Sequence, residues 1–459
     1  MSMWMFNIKT EEIDNAEKRG KYTISILSCE QIGLLHACLF AEAGFKVTCI
    51  DTNQAVVSHL TRGKAPFLKH DIEPILKKHV KSGYFKATND IKAAVAQSDI
   101  VLVTTPVKVD ERDKIDYSAI ESVCKWVGSS LRRGALVIIA SVIGVGTTEG
   151  LVRETLESVS GFKVGVDFGL AYSPVQFLEG QTLEKLSDYK RIVAAADKKS
   201  LDSASTILET IARKGVVKTN DVKTAEAVAL FEGMYSFTNV ALADEFALFC
   251  EKADIDYFKV QNLVKTSACS TFAQPTLTFE KNRTEPYILL DEAESLNAKL
   301  RFPKVAMEIN KEILKHSFSL IREALRSCGK TLRKAKISLI GISRTPNMMD
   351  VPKSSVKNLA KMLETKGAKI SLYDPYLTRD ELTDLEYAFK KSLTEAVEGA
   401  DCIAILTGHD QFKRLNLKKL KIIMRMPAAI VDFDGVMEPE KVEMEGFIYR
   451  GLGRGVWTK

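Results

Sequence analysis

A strand-like run, Ile24-Ser25-Ile26-Leu27, leads into Ser28-Cys29-Glu30-Gln31-Ile32-Gly33, then a helical stretch and a second strand ending Cys49-Ile50-Asp51. This is the spacing of a βαβ dinucleotide-binding unit, in which a G-x-G-x-x-G turn lets backbone N–H groups reach a pyrophosphate and a later acid holds the ribose hydroxyls. Asp51 stands at the acid's position. The glycine slots fall on Ser28, Glu30 and Gly33, so only the last is glycine. That one serves helix-to-strand packing, whereas the middle slot must be bare for the phosphates to approach. Glu30 places a carboxylate there. At roughly 4 Å and an effective dielectric of about 20, one like-charge contact costs on the order of 4 kcal/mol, about a thousandfold in affinity. The expectation is a Rossmann domain that keeps its shape and binds NAD weakly or not at all. A functional site requires Glu30 rotated away or protonated.

Other chemistry-bearing residues form no obvious constellation. His36, His59, His70, His79, His316 and His409 are isolated in sequence, which favours surface or satisfied core roles over metal ligation. The eight cysteines are scattered without a CxxC pair and read as reduced, mostly buried thiols of a cytoplasmic protein. Lys77, Lys78, Lys81 and Lys86 suggest a solvated helix face. Lys281 and Arg283 are two cations within three positions and are suited to an anionic ligand, unless they sit in a solvated loop.

The elements that must position these residues follow from periodicity. At 459 residues with 46% hydrophobic side chains, the chain can bury several cores. Its net charge of +6 is spread along the chain, which argues against nucleic acid, and no apolar run reaches membrane-spanning length. Strands are expected at Tyr22 to Ser28, Lys46 to Ile50, Asp99 to Thr104, Ala135 to Ala140 and Lys163 to Val166, alternating with amphipathic helices. Thr224 to Cys250 is helical and apolar on nearly every face, which predicts burial, most easily by a second subunit. From Lys334 the βα alternation resumes through Lys336 to Gly341, Asp374, Cys402 to Leu406 and Ala429 to Asp432. The fold class is α/β, with two Rossmann-like doubly wound domains joined by a long central helix and helical domain. The expected boundaries are 1–200, 201–330 and 331–459.

Longer motifs then accumulate in order. They are Val103-Thr104-Thr105-Pro106; Ser141 with Gly146-Thr147-Thr148-Glu149; Ser173-Pro174 with Glu179-Gly180; Asn239 to Glu245; Glu285-Pro286-Tyr287; Pro346-Asn347 with Asp350; Tyr373-Asp374-Pro375-Tyr376; Thr407 to Phe412; and Gly451-Leu452-Gly453-Arg454. In this combination the chain resembles the UDP-glucose and UDP-N-acetylmannosamine 6-dehydrogenases, from about residue 22 to 455. The resemblance implies NAD-dependent oxidation of a sugar C6 alcohol to a carboxylate through a cysteine thioester, needing a nucleophile, an acid/base system and an oxyanion stabiliser. It also implies cofactor contacts at Gly33, Asp51, Thr105 and Thr148.

By the same resemblance, most working positions carry other residues. The cysteine of the G-G-x-C-x-x-x-D segment falls on Lys281, or with a slip near Arg283, and its acid on Glu285. Cys269 is the nearest thiol, on an apparent helix. The oxyanion lysine is Ala229, its partner asparagine Gly233, the glutamate after Ser-Pro is Val175, and the water-holding threonine is Val142. In the segment that would grip the nucleotide sugar, Arg344 to Pro352, the lysine and arginine are Thr345 and Pro352, which cannot make charge-assisted phosphate contacts. Two functions therefore compete. One is a non-catalytic structural or regulatory member, forming a homodimer or a heterodimer with a family paralogue, with a possible nucleotide-sugar or other anionic ligand. The other is a divergent NAD-dependent oxidoreductase with a site rebuilt around Lys281, Arg283, Glu285 or Arg344.

Overall fold

The computed structural model describes residues 4–65, 69–110, 112–175, 183–266, 272–277, 283–347, 354–377 and 387–455. It divides into two compact units, Met1–Met234 with Asn282–Lys299, and Tyr235–Lys281 with Leu300–Lys459. Each carries one doubly wound sheet, so the α/β expectation holds.

In the first unit the elements run β1 (Thr23–Leu27), α1 (Gln31–Glu42), β2 (Lys46–Ile50), β3 (Phe85–Thr88), β4 (Ile100–Val103), α2 (Ser118–Gly128), β5 (Leu136–Ile139), α3 (Arg153–Ser160), β6 (Gly169–Tyr172), β7 (Arg191–Ala194), α4 (Lys198–Glu209) and β8 (Val216–Thr219). Sheet order is β8-β7-β6-β5-β4-β1-β2-β3. All pairings are parallel except β6 with β7. Strands β4 and β5 are buried along their whole length, as unbroken Ile/Val/Leu runs covered on both faces should be. The order reverses between β1 and β4, which opens a crevice at their carboxyl ends.

One expected strand is corrected. Residues 163–166 form a turn, and the strand follows at β6. Gly161 and Gly165 take φ of 71° and 76°, and the Asp167 carboxylate accepts from the Lys163 N–H at 3.0 Å, so the chain doubles back before it pairs. Strands β3, β7 and β8 lie outside the expected set. They are short, and β8 is largely exposed, so neither an alternating nor an unbroken apolar signal marks it.

The central helix α5 (Val222–Lys252) has 31 residues and continues from the first unit into the second. It is not buried all round. Ala225, Glu226, Ala229 and Leu230 are buried in the first unit, and Ala241, Ala243, Asp244 and Ala247 in the second. Phe231, Tyr235, Leu242, Phe246 and Phe249 are exposed. Helix α6 (Glu285–Ser295), with Pro286 in its first turn, completes the first unit.

In the second unit, α7 (Phe302–Ser327) buries Ala306, Ile313, Leu320, Ile321 and Ala324, the spacing of one helical face. The sheet comprises β9 (Lys336–Ile340), β10 (Lys369–Tyr373), β11 (Ala388–Phe389), β12 (Cys402–Ile405), β13 (Ala429–Asp432) and β14 (Ile448–Gly451), with α8 (Ser354–Thr365) between β9 and β10. Its order, β11-β10-β9-β12-β13-β14, is parallel throughout and reverses between β9 and β12. All seven described cysteines are buried and free, while Cys269 lies outside the described residues. Among the described residues no helix is long and apolar enough to cross a membrane.

Asp244 on α5 is a buried acid with half a partner. One oxygen accepts from the Thr276 N–H at 2.9 Å, and among the described residues the other meets no donor. Burial holds its carboxyl well above the ordinary range. A carboxyl whose pKa is raised on folding contributes its stability in full below the unfolded value of about 3.9 and loses it as pH climbs toward the folded value. Asp244→Asn is expected to raise Tm at neutral pH by roughly 2–4 °C for a gain of about 1 kcal/mol. Thermal melts should show that advantage shrinking toward pH 4, and a difference independent of pH would rule the account out.

Candidate functional site

At the β1–β4 crevice the turn keeps the shape expected of a βαβ unit. Ser28 adopts φ of 78°, the left-handed conformation a glycine would take without cost. A Cβ on Gly33 would run into the Ser28 carbonyl and lie 2.8 Å from Thr104 Oγ1, so helix α1 packs against the turn only because Gly33 is bare. Thr104 donates to the Leu27 carbonyl at 2.9 Å. Asp51 accepts from the Cys29 N–H at 3.0 Å through one oxygen and from the Asn53 N–H at 2.8 Å through the other. The acid expected to hold a ribose therefore also ties β2 to the turn, while remaining half exposed. Glu30 is the N-cap residue of α1, in extended conformation and solvent-exposed, and its side chain does not cap the helix. Exposure screens its charge, which moves the repulsion from the 4 kcal/mol estimate toward the aqueous limit of about 1 kcal/mol. The turn fits a dinucleotide in backbone shape and opposes it in charge.

A second group of residues gathers on one face of α5 within the first unit. Glu226, with no solvent exposure, accepts from the Gly146 N–H at 2.5 Å and the Thr148 N–H at 2.8 Å. Burial raises its carboxyl pKa against the lowering effect of those bonds. Ser141 donates to the Thr105 carbonyl at 2.6 Å, and the Gly144 N–H donates to the Tyr117 hydroxyl at 2.9 Å. Ala229 follows Glu226 by one turn and is buried. Gly233 follows by another turn, and a Cβ built there would lie 2.5 Å from Glu285 Cγ and 2.7 Å from Oε1. The structure thus brings Thr148, Glu226, Gly233 and Glu285 onto one helix face. Val175 is buried at the end of β6, with its N–H on the Ala140 carbonyl at 3.3 Å. Val142 and Arg283 are half-buried. Lys281, Glu179-Gly180, Asp350 and Pro352 lie outside the described residues.

The second unit repeats the strand-end device. Asp374, after β10, accepts from the Ile342 and Ser343 N–H groups, both at 2.8 Å, and from the Tyr376 N–H at 2.9 Å. His409, fully buried, directs Nε2 at Asp374 Oδ2 over 3.1 Å, and its Nδ1 accepts from the Asn347 N–H at 2.9 Å. Thr407 donates to the Ser343 carbonyl at 2.6 Å, and Thr345 is buried in the same turn. His409 was expected to be an isolated histidine. Asp374 and His409 were visible only as parts of separate motifs, since 35 residues part them. Glu226 and Tyr117 went unassigned, because a carboxylate that binds backbone across 78 residues carries no local spacing. Among the described residues no cluster of His, Cys, Asp and Glu is arranged for a metal.

Two nucleotide-binding folds, each with its crevice at a topological switch point, define a dinucleotide-dependent oxidoreductase architecture of the nucleotide-sugar dehydrogenase type. The chain belongs to the UDP-glucose/GDP-mannose dehydrogenase family: residues 22–212 match its NAD binding domain, 223–312 its central domain and 338–439 its UDP binding domain. A UDP-N-acetyl-D-mannosamine dehydrogenase of Pyrococcus horikoshii is 29% identical over 437 residues, covering 94% of this chain and 99% of that one. The UDP-glucose 6-dehydrogenase TuaD of Bacillus subtilis is 24% identical over 445 residues, covering 94% and 93%. A solved UDP-D-ManNAc dehydrogenase structure from Pyrococcus horikoshii superposes with a TM-score of 0.83 at 27% identity, over 95% of this chain and all of that one.

The geometry of the first turn sets a binding expectation. Ser28→Gly with Glu30→Gly should tighten NAD⁺ binding in calorimetry by about tenfold, the equivalent of roughly 1.4 kcal/mol. Unchanged affinity in that double variant would contradict this.

Proposed function

We propose that this chain is a nucleotide-sugar 6-dehydrogenase homologue that no longer performs the oxidation, and that it serves as a non-catalytic structural or regulatory member of the family in the cytoplasm. The observation that carries this proposal is the pair Ala229 and Val175. The positions matched to the oxyanion lysine and the glutamate hold aliphatic side chains only 2% and 3% exposed. Neither side chain carries a charge or a titratable group that could serve as cation or base. The cysteine position falls on Lys281, so nucleophile, cation and base are missing together, and such groups act as a unit. Glu30 weakens the cofactor site on independent grounds.

Its partner is a second copy or a family paralogue, engaged through α5. Supporting this are the aromatic and aliphatic side chains that α5 leaves in solvent, with Phe231, Tyr235 and Phe249 more than 60% exposed. Apolar display on that scale marks an association surface. A second function, a divergent oxidoreductase with a rebuilt site, is favoured by one observation, the carboxylate of Glu285 enclosed against Gly233.

Purified protein is expected to produce no NADH from NAD⁺ with UDP-glucose, UDP-N-acetylmannosamine or UDP-N-acetylglucosamine, followed by absorbance over long incubation at high protein concentration. Turnover that disappears in Lys281→Ala would favour the rebuilt site instead. Sedimentation at micromolar concentration should give a dimer, and Phe249→Glu should shift it toward monomer. A stable monomer of the unaltered protein would refute the assignment to α5.

A further inference from the structure

Residues 272–277 form an irregular strap within the second unit, and side chains from several elements hold it down. The Tyr257 hydroxyl donates to the Ala273 carbonyl at 2.7 Å, and Gln261 Nε2 donates to the Phe272 carbonyl at 3.0 Å, both from the helix Tyr257–Val264. Ser355, on α8, donates to the Leu277 carbonyl at 2.9 Å, and the Phe272 ring lies 5.8 Å from that of Phe246 on α5. Gln274 reaches outward to the turn after β13. Its Nε2 donates to the Asp434 carbonyl at 2.7 Å and to Oδ1 at 3.0 Å, while Asp434 Oδ2 accepts from the Gly408 N–H at 2.6 Å. Gly408 sits between Thr407 and His409, which shape the second crevice. The strap is thus tied on one side to that crevice and on the other to Asp244, through the Thr276 N–H.

Asp244 is the hold that cannot keep its charge where it lies. It has no solvent exposure, and among the described residues Oδ2 meets no donor. The titratable group facing it is Tyr257, whose phenol burial pushes up to about 12, so it stays neutral and offers no compensation. His316 on α7 faces Glu251 of α5 at 2.7 Å instead, and no charged side chain of α7 or α8 makes a described ion pair with Asp244. An enclosed carboxylate with one donor is costly, so the closed strap selects the neutral acid, and ionisation is favoured only where water reaches it.

We propose that Asp244 is a proton-carrying positioning residue for the nucleotide crevice of the second unit: the neutral acid keeps the strap 272–277 closed, and opening of the strap releases its proton to water, withdraws Gln274 from Asp434 and slackens the Gly408 turn. The ligand class rests on the family reading of this unit, whereas the proton linkage rests on the burial of Asp244 alone. With the strap open, the carboxyl returns to the ordinary value of about 3.9. Stability of the closed strap is then fully present below that value and is lost as pH rises toward the higher value of the closed form. Between the two, each opening releases one proton, so the open fraction grows about tenfold per pH unit.

Hydrogen exchange followed by mass spectrometry on the peptide spanning 272–277 tests this in the full-length protein. After division by the intrinsic exchange rate, protection of that peptide in the unaltered protein should fall about a hundredfold over about two pH units near neutrality. In Asp244→Asn, which keeps the shape and cannot ionise, protection should be at least as high and independent of pH. Millimolar UDP-glucose, which has no group titrating near neutrality, should raise protection of the peptide in both proteins by holding the crevice closed. Gln274→Ala cuts the connection to Asp434 and should keep the pH slope while losing the UDP-glucose effect. The proposal is overturned if protection in the unaltered protein does not change with pH, if Asp244→Asn shows the same slope, or if UDP-glucose leaves the peptide unaffected. NADH formation in the same samples bears on the non-catalytic proposal alone, since the strap can open and close whether or not a sugar is oxidised.

Discussion

Both sheets depend on a carboxylate at the end of the second strand of a βαβ unit that captures backbone N–H groups of the turn after the first strand. Asp51 takes Cys29, and Asp374 takes Ile342 and Ser343. Such turns leave donors that no strand or helix partner satisfies, and an orphaned buried donor costs on the order of 1–3 kcal/mol. A charge-assisted acceptor supplied from the neighbouring strand removes that cost and fixes the turn against the crevice. The arrangement is self-contained, because it needs neither a glycine at every slot nor a ligand. That is why Ser28 can sit at φ of 78° and the turn still closes.

The same logic separates what the chain has retained from what it has changed. Residues that hold backbone are intact: Glu226 on the Gly146–Thr148 turn, Thr104 and Gly33 at the first crevice, His409 and Thr407 at the second. The positions assigned by resemblance to chemistry carry valine, alanine, glycine and lysine. Selection for a folded family scaffold accounts for the first group without any demand from catalysis. Glu285, 8% exposed at the start of α6, lies against Gly233 and makes no described hydrogen bond to the scaffold.

Much of this was legible in sequence, for definite physical reasons. Unbroken runs such as Ile100 to Val103 declare a strand buried on both faces, and the long apolar stretch from Thr224 to Cys250 declares a helix, observed over Val222–Lys252. Exposed β8 and two-residue β11 carry no such pattern. The apolar composition of α5 was read as all-round burial, but composition does not say which residues face a neighbour, and five large side chains face solvent. Long-range polar pairs were hidden for a related reason. His36 is satisfied by Arg191 across 155 residues at 2.8 Å, and burial beside that cation holds its pKa down to about 3, so a neutral core histidine replaces any notion of a ligand.

The site itself was half legible. Matching positions to a family identifies which residue types are absent, but it treats each position alone, so Gly233 reads as a lost asparagine and Glu285 as a conservatively altered acid. Packing couples them. A glutamate extends its carboxylate one methylene beyond an aspartate, and that reach is accommodated only where the facing helix presents no Cβ, which is what Gly233 provides. The two positions are sterically coupled, because a larger residue at 233 would collide with Glu285 and a smaller one at 285 would leave a void against α5. Ala229 and Gly233 therefore set, by their small size, how closely α6 can approach α5 in the first unit, and that approach is a property of the packed pair that neither position declares alone.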